Sequence, residues 1–591
     1  MKCKHILIAL LVSFACIISF TTNAVAATET PIEVNKVSFL AAFFIGLFYY
    51  LAQSPWLANL SFTVFYRPLV AGTLVGFIMG QPSLGAAIGA VINVFYLGFI
   101  SAGGSLPGDP SLAGYLGTAL VIGSHLEPGA ALALAAPIGL LGNFTWSVKM
   151  TYCSRIPVIA DKLAEKGDIW GVARADYLYS QPFLFLLYGV PVIVLTYIGV
   201  PLVAVGVQWL QVNAEWVIQG MVIASGMLTA LGIAINLKIL LQKDVWPFFF
   251  LSFIVASMVK GNISFFLFAV IGLIIAYLYV YYQNHLKGDQ EQIFEHTTRK
   301  TPGLLTKHDV FSSYWRWLFF SHSSYNWERL QGLGFAHSMA PIIRKLYKTQ
   351  EEVSLALKRH LIFFNTEPDF GGIIHGTIIA MEEDRAAGAD ISDEDINKVK
   401  TILMGPLAGI GDSIIQGIIV PVFLIISIGI ATGGKMDTSE GNILGPIFYL
   451  VTFAAFLWSF TWWIYYLGYR RGQPAALEIL SSKQLNQVIE GVPVAGNFLM
   501  GLLAANYVKL STPIVFSIGG TNFAIQNIVD QIMPNLIPLL LILTIWFLIT
   551  KKNAKPTTIL FVIIIIGIAG AIPLFCGLNP VGQAIQVGFL G

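Results

Sequence analysis

The chain has 591 residues, of which 56% are hydrophobic and only 11% are charged. Because soluble globular domains carry about a quarter charged residues, this composition excludes a water-soluble enzyme, and the apolar content excludes a disordered chain. The net charge of +2 gives no reason to expect a nucleic-acid partner. The composition predicts an all-α protein that crosses a membrane several times.

The first 27 residues have the composition of a targeting segment. Two lysines precede an apolar run from Ile6 to Phe20, and small residues follow from Ala24 to Ala26. A cleaved signal and an uncleaved first anchor fit this pattern equally well. If the segment is cleaved, the chain begins outside the cytoplasm at Thr28.

Long apolar stretches follow on both sides of a polar middle region. Residues 31–110 contain four charged residues, whereas residues 285–400 contain thirty. Glycine and proline interrupt the stretches, which predicts broken and re-entrant helices of the kind found in transporters. The predicted spans lie near 37–53, 68–101, 112–142, 182–206, 216–240, 245–283, 411–431, 444–467, 491–508, 534–550 and 556–578.

The distribution of basic residues predicts the orientation of these spans. The connection from Lys149 to Arg174 carries five lysines and arginines, and the segment from Tyr282 to Asp309 is also charged. Under the positive-inside rule both are cytoplasmic. The basic turn from Lys551 to Lys555 is a third cytoplasmic segment by the same argument.

Candidate functional residues in the first block lie between Asn93 and Gly114. Asn93 and Tyr96 are about one helical turn apart, and Asp109 is a lone carboxylate at or near membrane depth. An ionisable group there indicates a functional site. A tight turn with Asp109 as a helix cap fits the residues as well. Arg67 fits an interfacial position and a substrate contact equally.

The polar middle region contains several helical patterns. Ser323 to Tyr347 is typical of an amphipathic helix in the membrane interface, with Asn326, Glu328, Arg329 and His337 among its polar groups.

Four local patterns follow in the same region. Thr366 is a candidate helix cap, and Ser392 with Asp395 resembles a capping box. The run from Glu382 to Asp384 is most simply a solvated helix end, and His375 a satisfied buried histidine.

The segment from Gly405 to Gly417 places Asp412 after three glycines, which favours a hinge or a re-entrant turn. It lacks the lysine and hydroxyl residue of a phosphate-binding loop. The four cysteines are scattered, and we find no pattern typical of a catalytic triad, a metal site or a cofactor site.

Several motifs resemble a known family. NWERLQGLGFAHSMAPIIRKLY, RHLIFFNTEP, AMEEDRAAGADI and MGPLAGIGDSI resemble the IID component of the mannose-family sugar phosphotransferase system, and YRPLVAGTLVGFIMG and YLGFISAGGSLPGDPSLAGYLGTALVI resemble its IIC component. The resemblance covers nearly all of the chain from about residue 38. It implies a IIC-like domain over 28–284, a cytoplasmic linker over 285–312 and a IID-like domain over 313–591.

The resemblance implies a bacterial inner-membrane translocator that imports a hexose or amino sugar. Separate IIA and IIB proteins would pass phosphate from phosphoenolpyruvate through histidines to the sugar, and the assembly would be a trimer with a transport domain moving against a scaffold. The leader over 1–27 is an addition to the usual IIC start. Asn93 stands where mannose-type members carry glutamate, so the chain is more similar to the sorbose or amino-sugar branches.

With this resemblance, we expect a shared sugar site and a moving hinge. The site would combine amides and carboxylates with aromatic faces. Its residues would be Asn93, Tyr96, Asp109, Asn326, Glu328 and Arg329. The hinge candidates are Gly409, Gly411 and Asp412.

Two other classes of protein are alternatives to a phosphotransferase permease. An ion-coupled secondary sugar transporter would also have broken helices and sparse intramembrane charge. A membrane enzyme that acts alone would need a nucleophile or metal cluster, and the sequence shows no recognisable one. The identity of the sugar is not legible from a few polar residues.

Overall fold

The computed structural model of the chain describes residues 37–97, 108–240, 244–259, 265–287, 299, 301–433, 440–472, 483–518, 521–572, 575–578, 584–587 and 590. The predicted leader over 1–27 and much of the predicted linker over 285–312 lie outside the described residues. Helices account for most of the described chain, as the sequence predicts.

The described residues of the N-terminal half form helices joined by turns. Prolines open several of its helices, because a first-turn residue needs no amide hydrogen for the helix. The helices are α1 (Phe39–Ala52), α2 (Pro68–Ile78), α3 (Pro82–Tyr96), α4 (Pro110–Leu112), α5 (Thr118–Gly123), α6 (Ala131–Cys153), α7 (Ile156–Glu165), α8 (Ile169–Tyr177), α9 (Gln181–Leu184), α10 (Val190–Val194), α11 (Val200–Asn213), α12 (Glu215–Leu240), α13 (Trp246–Val259) and α14 (Phe265–Lys287).

The C-terminal half continues with helices and two short antiparallel hairpins. Its helices are α15 (Lys307–Phe320), α16 (Gly332–Leu346), α17 (Gln350–His360), α18 (Gly372–Ala386), α19 (Asp393–Gly411), α20 (Val420–Thr432), α21 (Leu444–Arg471), α22 (Lys483–Tyr507), α23 (Ile525–Ile532), α24 (Leu536–Lys551) and α25 (Pro556–Gly570). The strands are β1 (Val515–Ile518) paired with β2 (Thr521–Ala524), and β3 (Phe575–Leu578) paired with β4 (Ala584–Val587).

The described helices include six that are long and apolar enough to cross a membrane, or seven if one bent pair counts as a single span. This confirms the prediction of a polytopic all-α membrane protein. The bent pair is α23 and α24, whose axes differ by 77°. Six shorter apolar helices, such as α2 and α3, accompany the long ones.

Glycines allow α2 and α3 to pack with their backbones in contact. A Cβ atom on Gly85 would lie 2.4 Å from the carbonyl oxygen of Gly72 and 2.7 Å from the Cα of Gly76. Small residues at such crossings are common in membrane proteins, because close backbone approach increases van der Waals contact. These glycines therefore join two helices.

The glycine-rich segment before Asp412 is helical, so the prediction of a loop or re-entrant turn from Gly405 to Gly417 is wrong. Helix α19 ends at Gly411, a π-helical segment spans Asp412–Ile419, and α20 follows without a break. The apolar surroundings favour this outcome, because a helix satisfies its own backbone hydrogen bonds within the membrane.

The predicted amphipathic helix from Ser323 to Tyr347 begins only at Gly332. The side-chain oxygen of Asn326 accepts hydrogen bonds from the amides of Glu328 (3.1 Å) and Arg329 (2.9 Å), so the preceding residues form a turn. Helix α16 is buried along most of its length against α15 and α8, which corrects the predicted position in the membrane interface.

The acidic run at the end of α18 is not a solvated helix end, because Glu382 and Glu383 are buried. Each is paired with a basic side chain: Glu382 with Arg359 at 2.8 Å, and Glu383 with Arg299 at 3.1 Å. Because these partners come from distant parts of the chain, the local sequence could not show the burial.

Three further local predictions have different outcomes. The capping box of Ser392 and Asp395 is confirmed at the start of α19. Thr366 does not cap a helix, since α18 begins at Gly372. His375 is buried as predicted, but neither ring nitrogen has a hydrogen-bond partner among the described residues.

The two halves of the chain contact each other through an ion pair and a buried hydrogen bond. Arg329 donates two hydrogen bonds of 2.7 Å to the carboxylate of Asp161 in α7. His337 in α16 lies 3.0 Å from the carboxylate of Asp176 in α8. The connection α7–α8 of the first half is therefore docked on helices α16 and α17 of the second half.

Candidate functional site

A cavity of about 130 Å³ lies at the junction of the two halves, and both halves contribute to its wall. Its polar residues include carboxylates, amides, hydroxyls and one arginine, and aromatic rings form another part of its wall. The residues that line it are Gln53, Asn59, Phe62, Thr63, Tyr66, Arg67, Trp146, His322, Tyr325, Gln331, Asn365, Thr366, Glu367, Pro368, Asp369, Ala408, Asp412 and Gln416.

Two buried carboxyl groups, Glu367 and Asp369, come from the segment between α17 and α18. One oxygen of Glu367 accepts the amide hydrogens of Asp369 (3.1 Å) and Phe370 (2.7 Å). One oxygen of Asp369 accepts a hydrogen bond of 2.7 Å from the amide of Asn59, across the junction. The other oxygen of each carboxyl has no partner among the described residues.

The environment of this pair favours its protonated form. Burial raises the pKa of Glu367, and the neighbouring charge of Asp369 raises it further. Burial also raises the pKa of Asp369, although the hydrogen bond from Asn59 opposes the change. A protonated carboxyl offers both a donor and an acceptor, which suits hydroxyl groups.

The aromatic wall faces this cavity from three segments. The ring centroids of Trp146 and Tyr325 are 5.8 Å apart, those of His322 and Tyr325 are 5.1 Å apart, and those of Phe62 and His322 are 5.5 Å apart. Aromatic faces beside polar groups bind molecules that have both apolar and polar sides, as sugar rings do.

His322 is held neutral in this wall. Burial lowers its pKa to about 3, and the positive charge of Lys149 adds to the effect. Gln331 accepts the amide hydrogen of Thr366 through its side-chain oxygen, so its side-chain nitrogen donates to the Nε2 atom of His322 at 3.2 Å. The remaining ring proton lies on Nδ1, which is 3.1 Å from the hydroxyl of Ser321.

Arg67 faces the cavity and does not extend to an interface. Its guanidinium donates hydrogen bonds to the side-chain oxygen of Gln416 (3.1 Å) and the carbonyl of Thr63 (3.3 Å). Gln416 belongs to the π-helical segment that starts at Asp412, so this contact also crosses the junction. The sequence alone does not distinguish an interfacial position of Arg67 from a contact with the substrate.

Comparison with known proteins gives matches over both halves. Residues 304–575 match the model of the mannose/fructose/sorbose family IID component of the phosphotransferase system, and residues 39–278 match that of the sorbose-specific IIC component. The chain is 37% identical to the sorbose-specific EIID component of Lacticaseibacillus casei, over 47% of this chain and 95% of that protein.

Two Escherichia coli (strain K12) proteins show the same division. The mannose-specific EIID component is 37% identical over 48% of this chain and 98% of its own length. The mannose-specific EIIC component is 30% identical over 36% of this chain and 79% of its own length. The chain belongs to the mannose/fructose/sorbose family of the sugar phosphotransferase system. It is a IIC–IID fusion and a sugar-translocating membrane subunit, and the alternative of an ion-coupled secondary transporter is not favoured.

The three predicted site residues of the IIC part lie outside the cavity lining. Asp109 caps α4 through the amide of Leu112 at 3.0 Å, as one alternative predicted. Its other oxygen accepts hydrogen bonds from Tyr49 (2.7 Å) and Gln53 (2.9 Å), so Asp109 orients Gln53, which does line the cavity.

Asn93 and Tyr96 make contacts within the IIC part. The side-chain oxygen of Asn93 accepts the amide hydrogen of Leu69 at 3.2 Å, which joins α2 to α3. The hydroxyl of Tyr96 donates to the carbonyl of Ala136 in α6 at 3.2 Å. Both side chains are buried. These contacts give them a packing role and leave the predicted sugar contact without geometric support.

The three predicted site residues of the IID part also lie outside the cavity lining. Asn326 forms the turn before α16, Glu328 is exposed, and Arg329 pairs with Asp161. Among the hinge candidates, Asp412 lines the cavity, and Gly411 lets the helix approach Glu367, since a Cβ there would lie 2.6 Å from the Cβ of Glu367. No contact tests the predicted hinge motion.

The carboxyl pair is the part of the site that sequence reasoning missed. Glu367 and Asp369 flank Pro368 within an otherwise apolar stretch. With Thr366 before them, these residues predict the start of a helix instead of a binding site. The sequence pattern that could have indicated this pair is two carboxylates two residues apart among apolar residues. No local pattern indicated Trp146 or Asn59, because their contacts are made across the junction.

Proposed function

We propose that the chain imports a hexose or amino sugar that binds in the cavity between its IIC and IID parts. The observation that carries the proposal is the buried pair Glu367 and Asp369 at the wall of the cavity, where one oxygen of each carboxyl has no partner within the described part of the chain. Hydroxyl groups of a sugar satisfy such oxygens, and the rings of Trp146 and Tyr325 offer an apolar face.

The orientation follows from the basic connection after α6. This connection carries Arg155, Lys162, Lys166 and Arg174, which supports a cytoplasmic position under the positive-inside rule. Sugar bound at the junction would then be released on that side. Separate IIA and IIB proteins phosphorylate it there, in a bacterial inner membrane.

The proposed division of the chain is a IIC-like domain over 28–284, a linker over 285–312 and a IID-like domain over 313–591. The matched ranges of the two family models support this division. Trimeric assembly is proposed on the family resemblance alone. The asparagine at position 93 supports a substrate of the sorbose or amino-sugar type.

Uptake into membrane vesicles tests the proposal. Vesicles that contain this chain with its IIA and IIB partners and the general phosphotransferase proteins would be offered labelled sorbose, mannose, fructose and N-acetylgalactosamine. We expect accumulation of at least one sugar as its phosphate, which depends on phosphoenolpyruvate and on IIB. Accumulation of unmodified sugar driven by an ion gradient would contradict the proposal.

A further inference from the structure

Lys149, near the C-terminal end of α6, is a buried cation whose amine has no hydrogen-bond partner among the described residues. Its side chain is 0% exposed, and its amine forms no hydrogen bond within the part of the chain that the structure describes. The amine lies between two rings, 5.2 Å from the ring centroid of Trp146 and 5.5 Å from that of Phe62. A buried ammonium stabilised only by ring faces is costly, because ring faces replace only part of its hydration.

The position of this amine relates it to the cavity. Trp146 and Phe62 both line the cavity, so the amine lies directly behind its aromatic wall. Lys149 is one helical turn beyond Trp146, in the direction of the basic connection that we place in the cytoplasm. It is therefore at the cytoplasmic end of the site, where a phosphoryl donor must approach.

The charge of the cavity explains why a cation is needed at this end. Asp412 lines the wall beside the protonated pair of Glu367 and Asp369, and its negative charge would repel an incoming phosphoryl group. Arg67 already donates to Gln416 and to a backbone carbonyl. His322 is neutral and accepts a hydrogen bond from Gln331, so it supplies no positive charge.

We propose that the ammonium of Lys149 contacts the phosphoryl group while it is transferred to the bound sugar. This inference rests on the proposed function. The donor is a phosphohistidine on the soluble partner: its P–N bond breaks, a P–O bond to a sugar hydroxyl forms, and the hydroxyl proton ends on the released imidazole. The four-carbon stem of Lys149 lets the amine turn between the two rings toward a non-bridging phosphoryl oxygen.

The test compares Lys149→Met with Lys149→Arg in the full chain, with phosphorylated IIB as donor. The sugar is the one of the four above that the wild type phosphorylates. For Lys149→Met we expect a Kd for this sugar within twofold of wild type, a Kd for its phosphate at least tenfold weaker, and kcat at least 100-fold lower with KM unchanged. Lys149→Arg should retain more than a tenth of kcat.

Lys400→Met is the matched control, because Lys400 is also buried but lies outside the cavity lining and donates to the carbonyl of Arg359 at 3.2 Å. It should lower Tm and leave kcat within threefold. A kcat for Lys149→Met within threefold of wild type would overturn the inference. If Lys149→Met does not fold, a loss of kcat in Lys149→Arg as large as 100-fold would overturn it too. Absence of phosphorylation by the wild type contradicts the proposed function instead.

Discussion

Glu382 is the centre of a buried ionic cluster in the second half of the chain. Arg359 donates to it at 2.8 Å and His360 at 2.9 Å, and the hydroxyl of Tyr347 also contacts it. Burial alone would raise the pKa of Glu382, but the hydrogen bond from His360 and the charge of Arg359 outweigh it and lower the pKa. The cluster fixes α17 against α18, the two helices that flank the segment of Glu367 and Asp369.

The neutral state of His360 predicts a loss of stability in acid. Burial lowers its pKa to about 4, below the value of about 6.5 in an unfolded chain. Between these two pKa values the unfolded state therefore binds more protons than the folded state. The contribution of His360 to the free energy of unfolding is fully present above pH 6.5 and is lost as the pH falls toward 4. From pH 7 to pH 5 this amounts to about 2 kcal/mol.

Thermal unfolding at pH 7 and pH 5 measures this effect. His360→Gln, which removes the titrating group, should show a smaller decrease in Tm between the two values than wild type. Glu382 also makes the protein less stable as the pH falls, whereas the raised pKa values of Glu367 and Asp369 make it more stable. The prediction therefore concerns the difference in the decrease of Tm between wild type and His360→Gln. Equal decreases in both would contradict the prediction.

At the scale of single elements, the packing of α2 against α3 depends on glycine. Gly85→Ala places a methyl group 2.4 Å from a backbone oxygen, which cannot move aside as a side chain can. We expect a destabilisation of about 1–3 kcal/mol and a lower Tm. Gly206→Ala in α11 is the control, because nothing lies within 4 Å of a Cβ there. Equal Tm values for the two variants would contradict this packing.

The sequence predicted the spans better than the site, and the reason is physical. Apolar length determines whether a segment crosses a membrane, and that length is visible in a single stretch of sequence. The turn before α16 was not visible, because the side-chain oxygen of Asn326 accepts the amide hydrogen of Glu328 and so interrupts a helical pattern. The pairing of Asn59 with Asp369 joins residues 310 positions apart, which no local pattern can show.

At the scale of the whole molecule, the fusion places two family components in one chain with the site between them. The cavity needs both halves, since Asn59 and Trp146 come from one and Glu367 and Asp369 from the other. A movement of one half against the other would therefore open or close the site. The same junction carries the ion pair of Arg329 with Asp161, and the sequence predicts only Arg329 of the two in the sugar site.

Equilibrium binding of the transported sugar to the purified chain tests the central claim most directly. The double variant Glu367→Gln with Asp369→Asn keeps the shape of the wall and removes both carboxyl groups. Because a buried polar group that loses its hydrogen-bond partner costs about 1–3 kcal/mol, we predict a Kd at least tenfold weaker. Glu328, which the sequence predicts in the sugar site, is exposed. Glu328→Gln should therefore bind the sugar with the Kd of wild type. Unchanged binding by the double variant, or a loss of binding in Glu328→Gln, would contradict the account.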